Sequence, residues 1–129
     1  MAYIVHIEQA TRENSYFRKV LHTGKHSQLV LMSLKPGESI GEEKHTVDQF
    51  IRIEEGFGKV ILDGRETSLA AEDAVVIPAG TKHNVVNTGK KELKLYTIYS
   101  PPNHIDGRIH KTKADAELDE EDEAFGHSR

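Results

Sequence analysis

Two stretches hold the side chains of this chain that are equipped for chemistry. Pro36 to Gly58 reads PGESIGEEKHTVDQFIRIEEGFG and carries Glu43, His45, Asp48 and Gln49; Val76 to Asn87 reads VIPAGTKHNVVN and carries His83. Carboxylate, imidazole and amide groups offer oxygen and nitrogen atoms to a divalent metal, and the first two also take up and release protons. Strand side chains alternate between faces, so Glu43 shares a face with His45, and Gln49 shares one with Ile51 and Ile53. Asp48, beside Gln49, has the opposite parity, although a turn can break parity. The chain has no cysteine, which excludes a disulfide, a zinc ribbon and a thiol nucleophile.

The elements that must position these residues read as strands. His26 to Leu34 (HSQLVLMSL) is apolar nearly throughout, as expected for a strand covered on both faces, and Pro36-Gly37 ends it. Ile4 to Ile7, Tyr16 to Leu21, Ile40 to His45, Gln49 to Glu54, Lys59 to Leu62, Thr67 to Leu69, Ala74 to Ile77, Val85-Val86 and Leu93 to Tyr99 follow the same pattern. Asp63-Gly64 signals a tight hairpin. About ten short strands with turns between them, and no amphipathic helix before the tail, predict an all-β antiparallel barrel or sandwich.

In order and spacing, the two stretches resemble the two motifs of the cupin superfamily, small single-domain members likened to mannose-6-phosphate isomerase among them. The first family motif runs Gly, His-x-His, Glu, Gly; here Gly37, Glu43-Lys44-His45, Gln49 and Gly56 stand in register. The second runs Gly, Pro-x-Gly, His, Asn; here Glu72, Pro78-Ala79-Gly80, His83 and Asn87 do. Three identities differ: Glu43 for His, Gln49 for Glu and Glu72 for Gly. The resemblance covers about residues 27–100 and implies a double-stranded β-helix, or jelly roll.

Carried over by position, the resemblance implies that Glu43, His45, Gln49 and His83 hold one divalent ion, Fe, Mn, Co, Ni or Zn. One histidine has become a carboxylate and the family carboxylate has become its amide. The set is then two imidazoles and one anion, similar to the face of non-haem iron enzymes, with Gln49 as a weak fourth donor. Glu43 is a ligand or a catalytic base. Family members include dioxygenases, sugar isomerases and epimerases, and non-catalytic binders of sugars or effectors. The expectation is a metal-dependent enzyme on a small oxygen-bearing substrate, with a small-molecule binding module as the alternative.

Other residues carry less. Gly80 is expected in a conformation open mainly to glycine. Asn87 reads as a turn hydrogen-bonder, Arg52 and Lys94 as exposed cations that could also meet an anionic substrate, and Met32, Tyr96 and Tyr99 as core. His6, His22, His26, His104, His110 and His127 lack a motif and read as surface residues, with His104 and His110 flanking a loop that could cover the barrel.

The organisation predicted is one barrel domain over residues 1–113 and an acidic tail over 114–129. Seven of the 21 acidic residues lie beyond Lys113, so the body is close to neutral. The tail is expected to be mobile, because like charges repel and little is buried. A near-neutral body without a basic stripe excludes nucleic-acid binding. No apolar run long enough for a membrane span and no signal peptide is visible, which with the absence of cysteine predicts a cytoplasmic protein. Tyr3 to Ile7 would be an exposed edge strand, and its pairing with a second copy predicts a homodimer.

Overall fold

The computed structural model describes residues 2–127. Two antiparallel sheets face each other. One has six strands in the order β10-β1-β2-β9-β4-β7, formed by β1 (Arg18–Thr23), β2 (Gln28–Leu34), β4 (Asp48–Glu55), β7 (Ala74–Ile77), β9 (Leu93–Ser100) and β10 (Ile109–His110). The other has four, in the order β3-β8-β5-β6, formed by β3 (Glu43–Lys44), β5 (Phe57–Leu62), β6 (Arg65–Ala70) and β8 (Lys82–Asn87). Val30, Met32, Leu34, Ile51, Ile53, Val60, Val85 and Leu95 fill the space between them at no more than 1% exposure, and this burial is the main force holding the sheets together.

Backbone geometry explains several motif residues. Asp63 and Gly64 both have positive φ (47° and 85°) and join Leu62 to Arg65, its direct partner, as a two-residue hairpin requires. Gly56 has φ 99°, and a Cβ there would stand 2.8 Å from the Glu92 carbonyl oxygen, so a side chain is excluded twice over. Glu72 has φ 78°. It occupies the motif position where glycine is usual, and the left-handed backbone persists although the residue has a Cβ. The Glu72 amide donates to the Ile53 carbonyl at 2.7 Å, which holds it there.

The N-terminus departs from the sequence reading. Tyr3 to Ile7 is not a strand; α1 spans Ile7–Glu13 instead. The run EQATRE consists mostly of good helix formers, and they outweigh three β-branched residues that have no partner strand. Thr11 of α1 is fully buried, and Lys94 donates to the Asn14 carbonyl at 2.8 Å at the helix end, where a cation is favoured. The edge strand invoked for a dimer is therefore absent. β7 differs as well: only Ile77 is buried, and Val76 is 69% exposed on the edge of its sheet.

The acidic tail is ordered into α2 (Lys113–Leu118) and α3 (Glu120–His127). Thr112 and Asp115 form a capping box on α2, and four acids occupy the first turn of α3, where the helix dipole favours them. Charge repulsion within the run is answered by cations and imidazoles just before it. Arg108 pairs with Glu121 at 2.8 Å, His110 with Asp119 at 2.8 Å, and His104 with Asp122 at 2.8 Å. His104 and His110, read from sequence as surface residues, are 8% and 3% exposed, and Asp122 is 3% exposed.

Two expectations follow. Glu72→Gly relieves a left-handed cost of about 1–2 kcal/mol per residue and adds a chain-entropy cost of about 0.5–1 kcal/mol. A small rise in Tm is expected, and a fall would show that the Glu72 side chain is needed. Truncation after Ala116 removes Asp122, whose hydrogen bonds to charged or buried partners contribute on the order of 1.5–3 kcal/mol each. Tm should drop by several degrees, whereas an unchanged midpoint would mean that α3 contributes nothing to the barrel.

Candidate functional site

The site forms where the two sheets open toward the C-terminal segment. In the smaller sheet, Glu43 of β3 lies directly opposite His83 of β8, a register that brings the two side chains within reach of each other. In the larger sheet, Gln28, Tyr99 and Gln49 form one row across β2, β9 and β4. His45, just beyond β3, bridges the two: its ring centroid is 5.0 Å from that of His83 and 5.8 Å from that of Tyr99.

Backbone turns fix these positions. The Gly80 amide donates to the His45 carbonyl at 2.8 Å, and Gly80 has φ 87°, so the turn of the second motif is tied to the histidine of the first. Asp48 accepts from the Ala79 amide at 2.9 Å on the exposed side, which makes it a turn-holding residue rather than a site carboxylate. Asn87 donates to Leu34 and Lys91 carbonyls and accepts from the Gly89 amide, as its turn role predicts. Arg52 pairs with Glu54 at 2.8 Å, and neither Arg52 nor the buried Lys94 faces the site.

The chemistry of the donors is suited to a divalent metal. His83 Nδ1 is 2.9 Å from the Thr81 carbonyl; a carbonyl only accepts, so the proton is on Nδ1 and Nε2 is left with its lone pair. Gln49, 4% exposed, donates to Thr97 Oγ1 at 3.0 Å, while its Oε1 is buried without a hydrogen-bond partner. Asn103 Oδ1 is likewise buried without one, and Asn103 Nδ2 is 3.4 Å from His45 Nδ1. Half a turn of that amide would let His45 Nδ1–H donate to Oδ1 and leave His45 Nε2 free for a metal. Against these features, the ligand atoms of Glu43, His45 and His83 do not all lie within 4.8 Å of one another. Among the described residues that closeness is reached by His110, Asp119 and Asp122, but their atoms are engaged with Arg18, Arg108, His104 and the Ile105 amide.

Burial sets the protonation states. It pulls His45 down to about 4, helped by His83 and His104 nearby. It pushes the Glu43 carboxyl above the usual carboxylate range, against the downward pull of Arg18, and pushes the Tyr99 hydroxyl up to about 12. Burial and Arg18 also lower His104, to about 4, in spite of Asp122. Near neutral pH the His45 imidazole is thus uncharged, as metal binding requires.

A cavity of about 360 Å³ adjoins these groups, lined by Arg18, Glu43, His45, His104, Asp122 and His127 among others. Of the four residues singled out by sequence, Glu43 and His45 line it; His83 and Gln49 do not. Arg18 and Asp122 were missed, and His104 was read as a surface residue flanking a loop over the barrel. All three lie outside both motifs; for His104 and Asp122 the signal available was the pair of histidines and the arginine just before the acidic run, and for Arg18 there was none.

Comparison with known proteins agrees with this architecture. Residues 30–99 match the Cupin domain family. The chain is 52% identical over 121 residues to the uncharacterized protein YrkC of Bacillus subtilis (strain 168), covering 88% of this chain and 65% of that protein, so it spans just under two thirds of that relative. It is 46% identical over 113 residues to the uncharacterized protein L612 of Acanthamoeba polyphaga mimivirus, covering 83% of this chain and 70% of that protein. The crystal structure of BH2720 from Bacillus halodurans superposes with a TM-score of 0.88 at 47% identity, over 91% of this chain and 94% of that one. No helix among the described residues is long and apolar enough to cross a membrane.

The depressed His45 gives a pH dependence of definite sign. The unfolded chain protonates His45 near 6.5 and the folded chain only near 4. Between those values the unfolded state binds more protons, so stability rises with pH and is lost on acidification. Glu43 acts in the opposite sense just above 4.5, because its raised value makes the folded state the better proton binder there. Tm of EDTA-treated protein should climb between about pH 4 and 6.5, and less steeply in His45→Asn. A His45 resonance titrating near 6.5 would contradict the burial argument.

Proposed function

The chain belongs to the cupin family, and on that premise we propose that it holds one divalent metal between its sheets and acts on a small oxygen-bearing molecule in the adjoining cavity. The observation that carries this reading is the convergence of Glu43 and His45 on that cavity, with His83 opposite Glu43 and a buried Gln49 oxygen whose hydrogen-bonding capacity is unspent. Glu43, His45, Gln49 and His83 would hold the ion, which supplies Lewis-acid polarisation of a substrate oxygen when bound.

The residues themselves then divide the work. His45 keeps a neutral imidazole, and His83 is oriented through Nδ1 by the Thr81 carbonyl. Tyr99 and the core beneath it exclude water from the inner wall. Glu43 has a carboxyl raised by desolvation, the direction that suits a general base near neutral pH. It serves either as the anionic ligand or as the group that takes a proton from the substrate. Both a dioxygenase-like and a sugar isomerase- or epimerase-like reaction fit this division.

A second reading, a cupin that captures a small polar ligand without turnover, is favoured by two features. An amide stands where a second carboxylate would bind the metal more strongly, and the titratable donors are more widely spread than a closed shell. Oxygen uptake and sugar isomerisation assayed on metal-reconstituted protein separate the two.

Metal content of purified protein tests the common premise. About one equivalent per chain is expected in the wild type, and loss of one of two imidazoles in His83→Ala should reduce it sharply. A content near one in that variant would remove these residues as ligands.

A further inference from the structure

Arg18 is a cation of the cavity wall whose guanidinium lacks a directly paired carboxylate. It lies on β1, lines the cavity and is only partly exposed. Among the described residues it forms no ion pair. Its Nε is buried without a hydrogen-bond partner, and its guanidinium carbon is 5.3 Å from the centre of the Phe17 ring. A guanidinium held partly out of water without a directly paired carboxylate is costly, and its planar fork matches a carboxylate.

The contact that Arg18 does make fixes its orientation. Its Nη1 is 3.3 Å from His110 Nδ1. Arginine only donates, so His110 Nδ1 accepts, and the imidazole proton is on Nε2, 2.8 Å from Asp119 Oδ2. Asp119 therefore sets the tautomer of His110, and His110 anchors one edge of the guanidinium. Nothing in this relay neutralises Arg18 directly.

His104 is built the same way. Asp122 Oδ2 is 2.8 Å from His104 Nδ1, and Asp122 Oδ1 accepts from the Ile105 amide at 2.7 Å. A carboxylate accepts, so Nδ1 carries the proton and Nε2 keeps its lone pair, buried and without a partner. The backbone of His104 is clamped in turn by Gln28, whose amide oxygen accepts from the Asn103 and His104 amides and whose nitrogen donates to the His104 carbonyl.

We propose that the cavity takes a small hydroxycarboxylate, with its carboxylate on the Arg18 guanidinium and its hydroxyl donating to His104 Nε2. The inference rests on the reading of this cavity as the small-molecule site, and it gives that site a substrate class. Two side chains outside the motif span line the cavity and carry buried, unspent hydrogen-bonding atoms of opposite kind, a cationic donor and a neutral acceptor. Each is held by a histidine–aspartate contact to the acidic segment. That segment is therefore part of the binding site, and Asp119, His110 and Asp122 are positioning residues.

Glycolate is the probe, and glycolamide, its uncharged amide, the control. Isotopically labelled wild-type protein carrying its own metal is titrated with each, following the Arg18 side-chain N–H and His104 imidazole resonances, with metal content measured on the same samples. Glycolate should saturate and shift both sets of resonances, and glycolamide should bind at least tenfold more weakly. Loss of a charge-assisted hydrogen bond in Arg18→Gln should weaken glycolate by about 10- to 100-fold, with Arg18→Lys in between. Asp119→Asn, which leaves the lining intact, should move the Arg18 N–H resonance and weaken binding several-fold. Equal binding of acid and amide, no glycolate binding, or wild-type affinity in Arg18→Gln would each overturn the inference. Metal-loaded protein that ignores glycolate overturns it alone; metal-free protein that binds glycolate through Arg18 preserves it and overturns the metal reading.

Discussion

The side-chain amide of Gln28 is the contact on which the upper part of the molecule depends. At 1% exposure it donates to Thr23 Oγ1 and the His104 carbonyl and accepts from the Asn103 and His104 amides. It thereby joins the centre of the larger sheet to the chain leaving β9. Without it, three buried backbone groups would have to be desolvated unpaired, each at a cost of about 1–3 kcal/mol. That clamp delivers Asn103 to His45 and His104 to Asp122, and through Asp122 it seats α3. Gly126 completes the fit: a Cβ there would come 3.0 Å from the Asn103 carbonyl oxygen.

From this arrangement comes a site with two unlike halves. The inner half belongs to the motif strands and is built of two imidazoles, a desolvated carboxyl and an amide oxygen, groups that gain by sharing a cation. The outer half belongs to β1 and the C-terminal segment and presents a guanidinium and an imidazole lone pair. Burial drives His45 of the inner half and His104 of the outer half toward neutrality, and Arg18 adds to that drive. The same desolvation that shifts these groups strengthens whatever charged partner they meet.

The barrel was legible in the sequence because its signals are local. Ala74 to Ile77 is a strand with the bounds that its apolar run suggests, and the Asp63-Gly64 hairpin follows from its turn chemistry. The special backbone at Gly80 and the left-handed position at Glu72 lie where the motif places them. What was not legible depends on partners distant in sequence. Ile4 and Val5 read as a strand because their residue type is β-prone, yet no neighbouring strand accepts them. The acidic tail read as mobile because its charges were counted within the run, whereas they are paired with Arg108, His110 and His104. The pairing of His45 with His83 was implied by motif register; the placement of Arg18 and His104 beside them was not, since no periodicity encodes it.

The proposed metal lies between the sheets, at Glu43, His45, Gln49 and His83, and not at the tighter His110, Asp119 and Asp122 group, whose atoms already hold Arg18 and His104 in place. Anomalous diffraction from crystals of the metal-loaded protein, recorded at the absorption edge of that metal, tests it most directly. A single strong peak within bonding distance of His45 Nε2 and His83 Nε2 is expected. A peak against His110 and Asp119, or none between the two sheets, would contradict it.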